Sequence, residues 1–137
     1  MIIISACLCG VDCKYSGGNN LNKKCLEIFK KGEAILVCPE QLGGLETPRN
    51  PAEIIGDKVI TKDGQDVTKE FLKGAEETLK IAKMANAKMA ILKEGSPSCG
   101  CNYIYDGNFN GTKIKGRGKT ASLLDENGIK VISDCEL

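Results

Sequence analysis

The fold is decided by residues 88–101, which read KMAILKEGSPSCGC. The stretch begins with a short apolar segment of strand length and then passes through Gly95, Ser96 and Pro97 before it reaches Cys99. Glycine, serine and proline interrupt regular structure, so we predict that a strand over 88–92 ends in an irregular loop. The stretch therefore places a thiol just beyond the end of a buried strand.

The same arrangement occurs twice earlier in the chain. Residues 1–6 (MIIISA) lead to Cys7, and residues 34–37 (AILV) lead to Cys38. In an open parallel sheet, ligands bind in the crevice beyond the carboxyl ends of the strands. Three thiols at that edge are therefore predicted to meet around one metal ion or one cluster.

Helices are predicted between and after these strands. Apolar residues recur at helical spacing in 21–31, 68–85 and 120–127, and further strands are predicted at 59–60 and 129–133. Residues 116–120 (GRGKT) resemble half a phosphate-binding loop but lack the Walker spacing, so we interpret them as a glycine-rich entry to the last helix. The alternation predicts the α/β class, with a single three-layer domain over 1–137 and a mostly parallel, Rossmann-like sheet flanked by helices.

Composition narrows the classes of function. The chain has 137 residues, a formal net charge of +1 and no tryptophan, with 4% aromatic residues. These values disfavour a polyanion-binding surface or a base-stacking platform, so we expect no nucleic-acid partner. The apolar residues 1–6 lack a basic leader and are too short for a signal peptide or a membrane span. We therefore expect a cytoplasmic protein that does not contact the membrane.

Cysteine is abundant and histidine is absent, with eight and none respectively. Structural disulfides are rare in a reducing compartment, so clustered cysteines indicate metal or redox chemistry. The lack of histidine excludes Cys/His nucleophilic pairs and mixed Cys/His zinc sites. Neither a zinc-finger nor a ferredoxin spacing is present, so spacing alone leaves zinc and an iron–sulfur cluster both open.

Several cysteines are predicted to have no ligand role. Cys25 lies on the apolar face of a predicted helix and is interpreted as a core residue, while Cys135 lies beside the terminus, where fraying is common. Cys9, Cys13 and Cys101 lie near the predicted ligands. We interpret them as bystander thiols rather than spare ligands.

A series of motifs follows one order along the chain. They are 5–10 (SACLCG), 15–18 (YSGG), 38–40 (CPE), 43–45 (GGL), 47–49 (TPR), 64–68 (GQDVT), 96–100 (SPSCG) and 105–107 (YDG). In this combination the chain resembles the thiouracil desulfidase family, and the likeness covers nearly the whole sequence. It departs from the usual family pattern at Lys14 and Ser16, where Arg and Asp are commoner, and Ser16 bears on pyrimidine specificity.

The resemblance implies a 4Fe-4S cluster held by Cys7, Cys38 and Cys99, with one iron open to the sulfur of a thiocarbonyl. It also implies a non-redox hydrolysis in which a small thiopyrimidine substrate and water give the oxo compound and hydrogen sulfide. A thiophilic metal would polarise the C=S bond and a carboxylate would activate water. Glu40, two residues after Cys38, is the predicted base.

Further site residues are predicted around Cys99. Ser98 and the backbone amides near Gly100 are candidates to orient the pyrimidine or to stabilise developing negative charge. Ser96, Tyr105 and Asp106 complete the predicted substrate contacts. For Arg49, a salt bridge within its own loop and a substrate contact remain equal alternatives.

Two other functions remain open at this point. One is a non-catalytic zinc- or iron–sulfur-binding module, or a sulfur-transfer partner in thionucleoside metabolism, which would need Cys9, Cys13 or Cys101 as a fourth protein ligand. The other is a thiol–disulfide oxidoreductase, against which the missing Cys-x-x-Cys at a helix start counts.

Overall fold

A computed structural model describes all of residues 1–137. In chain order its elements are β1 (Ile2–Ser5), α1 (Lys23–Lys30), β2 (Ala34–Val37), α2 (Pro39–Leu42), β3 (Ala52–Ile55), β4 (Lys58–Thr61), α3 (Thr68–Met84), β5 (Met89–Leu92), β6 (Tyr103–Tyr105), β7 (Lys113–Lys115), α4 (Lys119–Glu126) and β8 (Lys130–Ser133). Short 3₁₀ helices span Ala6–Cys9 and Asp134–Glu136. None of the helices combines the length and the apolar composition that a membrane span requires.

Four parallel strands form the central sheet, in the order β2-β1-β5-β8. The apolar segments become strands because both of their faces are covered, which is the usual setting of a parallel sheet. Residues alternate along β1, so that Ile3 packs with α3 and α4 on one face and Ile4 packs with α1 on the other. The α/β class with a parallel sheet between helices is therefore confirmed.

The predicted helices and strands occur with small shifts at their ends. Helix α1 begins at Lys23, because the Asn22 side chain accepts hydrogen bonds from the N–H groups of Lys24 and Cys25. The strand predicted at 59–60 is the centre of β4, which forms an antiparallel hairpin with β3. The strands β3, β6 and β7 and the short helix α2 were not predicted, because three- and four-residue elements carry too little periodicity to detect.

A close backbone contact fixes α2 against α3. Gly43 and Gly74 lie at the crossing, where a Cβ at Gly43 would overlap the carbonyl oxygen of Glu70 and a Cβ at Gly74 would overlap that of Pro39. Only glycine permits this approach. Because α2 begins directly after β2, the contact sets the position of the segment that follows Cys38.

Candidate functional site

The loops after β1, β2 and β5 meet at the carboxyl edge of the sheet and line one cavity of about 820 Å³. Cys7, Cys38 and Cys99 all line this cavity, as their position at three strand ends predicts. A fourth cysteine, Cys13, lines it as well. Cys7 and Cys99 are 92 positions apart in sequence. They share one wall of the cavity because β1 pairs with β5 as well as with β2.

Cys7 and Cys13 are buried, and Cys38 beside them is half-buried. Cys13 is 2% exposed, and its carbonyl oxygen accepts a hydrogen bond from Cys38 Sγ at 3.7 Å. Its hydrogen bonds lower the pKa of Cys7 and lower the pKa of Cys38 to about 7, while the pKa of Cys13 itself is raised by the same contacts. A lowered pKa favours the thiolate, which is the form of cysteine that binds a metal.

Cys99 is held by hydroxyl groups. Ser5 Oγ donates to its Sγ at 3.3 Å and Ser98 Oγ donates at 3.6 Å. Burial and the neighbouring Glu40 carboxylate raise the pKa of Cys99. Ligation at this position therefore requires a positively charged group to displace the thiol proton.

A single metal ion and a cluster make different demands on the cysteines. No group of three or more Cys, Asp or Glu side chains has the separations that mark a site for a single ion, and structural zinc takes four ligands around one point. An iron–sulfur cluster has several irons, each with its own thiolate, so its ligands surround a volume. Three thiols spread over the wall of a large cavity fit that description.

Glu40 and Arg49 form a partly buried ion pair beside the thiols. Arg49 Nη2 lies 3.1 Å from Glu40 Oε2, and their side chains are 9% and 17% exposed. The pKa of Glu40 is raised by burial, and Arg49 and Ser98 only partly offset this. Arg49 also donates to the carbonyl oxygen of Cys13 at 2.9 Å. Arg49 therefore forms a salt bridge beside its own loop, and because it also lines the cavity, a substrate contact stays a prediction.

Glu94 organises the loop that carries Cys99, and sequence reasoning missed it. The residue is 4% exposed, and its Oε1 accepts hydrogen bonds from four backbone N–H groups. The donors are Gly95 (3.3 Å), Cys101 (2.7 Å), Asn102 (2.9 Å) and Tyr103 (3.2 Å). The sequence did contain a signal for this role: Glu94 is a charged residue just after an apolar strand and directly before Gly95. A charged group in such a position is usually hydrogen-bonded when it is buried.

Of the site residues predicted around Cys99, one lines the cavity and two do not. Ser96 lines the cavity, but Ser98 is fully buried and Gly100 lies behind the wall. The amides proposed as donors to substrate are already used, since Gly100 N donates to the carbonyl oxygen of Ser96 and Cys99 N donates to Ser96 Oγ. Ser98 and Gly100 thus support the loop, and their roles towards a substrate stay predictions.

Of the two site residues predicted in the hairpin of β6 and β7, only one lines the cavity. Tyr105 lines the cavity, whereas the Asp106 carboxylate accepts hydrogen bonds from Asn108 within its own turn and does not face the cavity. Phe109, which sequence reasoning did not single out, lines the cavity as well. Its N–H donates to Glu53 at 3.2 Å, so that β3 holds this loop against the opening.

Most backbone amides of the glycine-rich segment before α4 are engaged within the protein. The N–H groups of Gly118, Lys119 and Thr120 donate to carbonyl oxygens of the loop 97–100 at 2.8 to 2.9 Å. The N-terminus of α4 is therefore used inside the protein, where it supports the loop of Cys99.

Comparison with known proteins agrees with this geometry. The family model of 2-thiouracil desulfurase matches residues 2–136. The chain is 46% identical over 147 aligned positions to the uncharacterized protein YbbK of Bacillus subtilis (strain 168), covering 100% of this chain and 97% of that protein. Among solved structures it is similar to a [4Fe-4S]-dependent thiouracil desulfidase, TudS, with 45% identity, a TM-score of 0.95, and coverage of 99% of this chain and 91% of that chain.

Proposed function

This chain belongs to the 2-thiouracil desulfurase family, and on that premise we propose that it is a [4Fe-4S]-dependent desulfidase. Its substrate is a small thiolated pyrimidine of the 2-thiouracil type. The observation that carries the proposal is the cavity at the carboxyl edge of the sheet, which places Cys7, Cys38 and Cys99 beside the Glu40 carboxylate.

The reaction is a hydrolysis without net electron transfer. The C=S bond breaks, a C=O bond forms with the oxygen of water, and the sulfur leaves as hydrogen sulfide with both protons of that water. When bound by Cys7, Cys38 and Cys99, the cluster supplies a thiophilic Lewis acid. All other steps fall to groups of this chain.

Glu40 is the residue that we assign to proton transfer. Its carboxylate faces the cavity, two residues after Cys38, and its raised pKa brings it closer to the range in which a general base works at neutral pH. Arg49 holds the carboxylate in one orientation by its bond at 3.1 Å. The pair therefore presents a fixed acceptor for a proton of water.

The remaining cavity walls suit a planar heterocycle. Tyr105 and Phe109 supply aromatic surface on one side, and Ser96 supplies a hydroxyl beside Cys99. Ser96 Oγ lies 2.8 Å from Ser98 Oγ, so the two hydroxyls form a short chain towards the Cys99 sulfur. We assign Ser96 to substrate binding and Ser98 to the support of Ser96 and Cys99.

The decisive experiment combines cofactor and product analysis on protein purified without oxygen. We expect iron, acid-labile sulfide and release of hydrogen sulfide and uracil from 2-thiouracil. Glu40→Gln should retain iron and lose about 10²- to 10⁴-fold in rate, the usual contribution of a general base. Cys38→Ala should lose the cluster, whereas Cys25→Ala, which removes a buried thiol outside the cavity, should keep both iron and activity.

A second candidate is the non-catalytic metal module or sulfur-transfer partner, which the cavity position of Cys13 favours because it offers a fourth thiol. A closed four-cysteine shell would leave no position for substrate. A colourless protein with stoichiometric zinc, or a loaded cluster that releases no sulfide from any thiopyrimidine, would establish this candidate and overturn the desulfidase.

A further inference from the structure

We propose that Phe109 determines the preference of the site for a planar ring, and that Glu53 is a positioning residue that holds Phe109 at the cavity wall. The inference rests on the proposed function and deepens it, because the ring that Phe109 would recognise is that of a thiolated pyrimidine. It assigns roles to two cavity residues that stand outside the proposed proton transfer and cluster binding.

The backbone of Phe109 has a conformation that a bulky side chain disfavours. Its φ is +54°, in the left-handed region, and Asn86 is the only other residue besides glycine with a positive φ. Asparagine is enriched in this region, whereas phenylalanine is unusual there. Residues in such conformations persist only where the surrounding structure enforces them, and they cluster at functional sites. A smaller or more polar residue would therefore suit this turn better than Phe109 does.

The packing of the core does not explain why a phenylalanine occupies this position. The Phe109 side chain is half-buried and belongs to none of the three apolar groups that form the core. The residue instead lines the cavity, as does Tyr105. Aromatic side chains bind the flat face of a nucleobase by stacking, and this contact requires a planar partner. Recognition of a planar ring accounts for an aromatic residue on a backbone that disfavours it.

Contacts with β3 hold the turn that carries Phe109. One carboxylate oxygen of Glu53 accepts hydrogen bonds from the N–H groups of Gly107 at 2.9 Å and of Phe109 at 3.2 Å. Gly107 also lies so close to β3 that a Cβ there would be 2.9 Å from the Ile55 side chain. Because a single acceptor binds the N–H groups of residues 107 and 109, Glu53 holds the left-handed backbone of Phe109 in place.

The test measures kcat and KM for 2-thiouracil on protein purified without oxygen, together with inhibition by uracil and by 5,6-dihydrouracil. The two inhibitors carry the same carbonyl and N–H groups, but the dihydro ring is puckered. Phe109→Asn suits the left-handed backbone and lacks the aromatic ring, whereas Phe109→Tyr keeps the ring. Asn86→Gly is the matched control, because Asn86 has the same φ of +54° and does not line the cavity. Urea unfolding of each cluster-free variant separates weaker binding from a damaged fold.

We expect Phe109→Asn to raise KM for 2-thiouracil about tenfold and to leave kcat within about twofold of wild type, because stacking holds the ring without taking part in the bond changes. Uracil should also bind about tenfold more weakly, whereas 5,6-dihydrouracil should bind nearly as it does to wild type. The urea midpoint of Phe109→Asn should equal that of wild type. Phe109→Tyr and Asn86→Gly should keep the wild-type values of KM, kcat and both inhibition constants.

The role of Glu53 is tested by a double variant. Glu53→Ala should raise KM in the same way as Phe109→Asn, and the combination of the two should be no worse than Phe109→Asn alone, because Glu53 acts through Phe109. A combination whose losses add would overturn the positioning role and make Glu53 an independent contact.

Three results would overturn the role of Phe109. They are a KM for Phe109→Asn equal to that of Asn86→Gly, an equal loss of affinity for the planar and the puckered inhibitor, and a urea midpoint clearly below that of wild type, which would make Phe109 a residue of the core. In each of these cases wild type would still release sulfide from 2-thiouracil. Wild type that carries a cluster but releases no sulfide would instead overturn the proposed function, and the inference with it.

Discussion

Replacement of Glu94 should loosen the loop that carries Ser96 and Cys99 more than any surface substitution. The Glu94 carboxylate is almost completely buried, and one of its oxygens is the acceptor for four backbone N–H groups of this loop. The other oxygen accepts from Asn102 Nδ2 at 2.9 Å. Glu94→Ala removes all of these acceptors at once and leaves the donors in a place that water reaches poorly.

The size of the effect follows from the number of orphaned donors. A hydrogen bond to a charged group contributes about 1.5–3 kcal/mol, but bonds that share one oxygen do not add fully. We expect Glu94→Ala to lower the free energy of unfolding by about 3–5 kcal/mol, and Glu94→Gln, which keeps one acceptor without charge, by about 1–2 kcal/mol. At about 2.1 cal/mol/K per residue, the alanine variant should melt about 10–17 °C lower.

Urea unfolding followed by circular dichroism measures these differences, on reduced protein without added iron. Glu76→Ala is the control, because Glu76 is exposed on α3 and makes no ion pair. The control should stay within about 0.5 kcal/mol of wild type. A Glu94→Ala variant that unfolds at the same urea concentration as the control would refute the reasoning, since the loop would then not depend on the carboxylate.

The same carboxylate predicts a dependence on pH. Burial raises the pKa of Glu94, but hydrogen bonds from the N–H groups of Asn102, Tyr103 and Cys101 outweigh it, so the folded pKa lies below its usual value. A lowered folded pKa means that the contribution is complete above the unfolded pKa, about 4.3, and is lost as the pH falls through the folded pKa. The stability gap between wild type and Glu94→Gln should therefore close in acid.

Three further outcomes are expected. Gly74→Ala should destabilise the fold by about 2–4 kcal/mol, because its Cβ would overlap the carbonyl oxygen of Pro39. Thr120→Val should be neutral or stabilising by up to about 1 kcal/mol, because the buried Thr120 hydroxyl has no hydrogen-bond partner, whereas Thr78→Val, which removes a bond to Gly74 at 2.7 Å, should cost about 1 kcal/mol. In cluster-free protein, alkylation of Cys38 should rise to half its maximal rate near pH 7, since its pKa is about 7.

Each of these three predictions has a control or comparison within the same chain. Lys73→Ala, at an exposed position next to Gly74 in α3, tests whether substitution in this helix is harmful by itself. Urea unfolding of Thr78→Val and Thr120→Val compares a hydrogen-bonded hydroxyl with one that has no partner. Equal losses in the free energy of unfolding would contradict this explanation. Mass spectrometry of the alkylated protein should find Cys25 unreactive at the same pH, because burial raises its pKa to about 11.

The sheet and the edge at which the site lies were predictable because apolar segments and strand ends are local signals. The segments before Cys7, Cys38 and Cys99 became β1, β2 and β5, and their loops line one cavity. The assignment of the thiols as ligands and of residues 1–137 to a single domain stay proposals. For the domain, apolar groups on both faces of one sheet give support.

The contacts that shape the site were not predictable, because each joins residues far apart in sequence. The ion pair of Glu40 and Arg49, the acceptor role of Glu94 and the position of Phe109 against Glu53 depend on how loops pack. Local sequence does not indicate which amides remain free after packing. For this reason the predicted amide donors near Gly100 prove to be occupied.

The order of the strands has a consequence for how the protein is made. β1 pairs with β2 on one side and with β5 on the other, yet β5 and Cys99 are synthesised long after Cys7 and Cys38. Chains fold from the N-terminus while they leave the ribosome. If Cys7, Cys38 and Cys99 hold the cluster as proposed, a nascent chain that ends before β5 presents two of the three thiols, and cluster insertion would wait until most of the polypeptide has emerged.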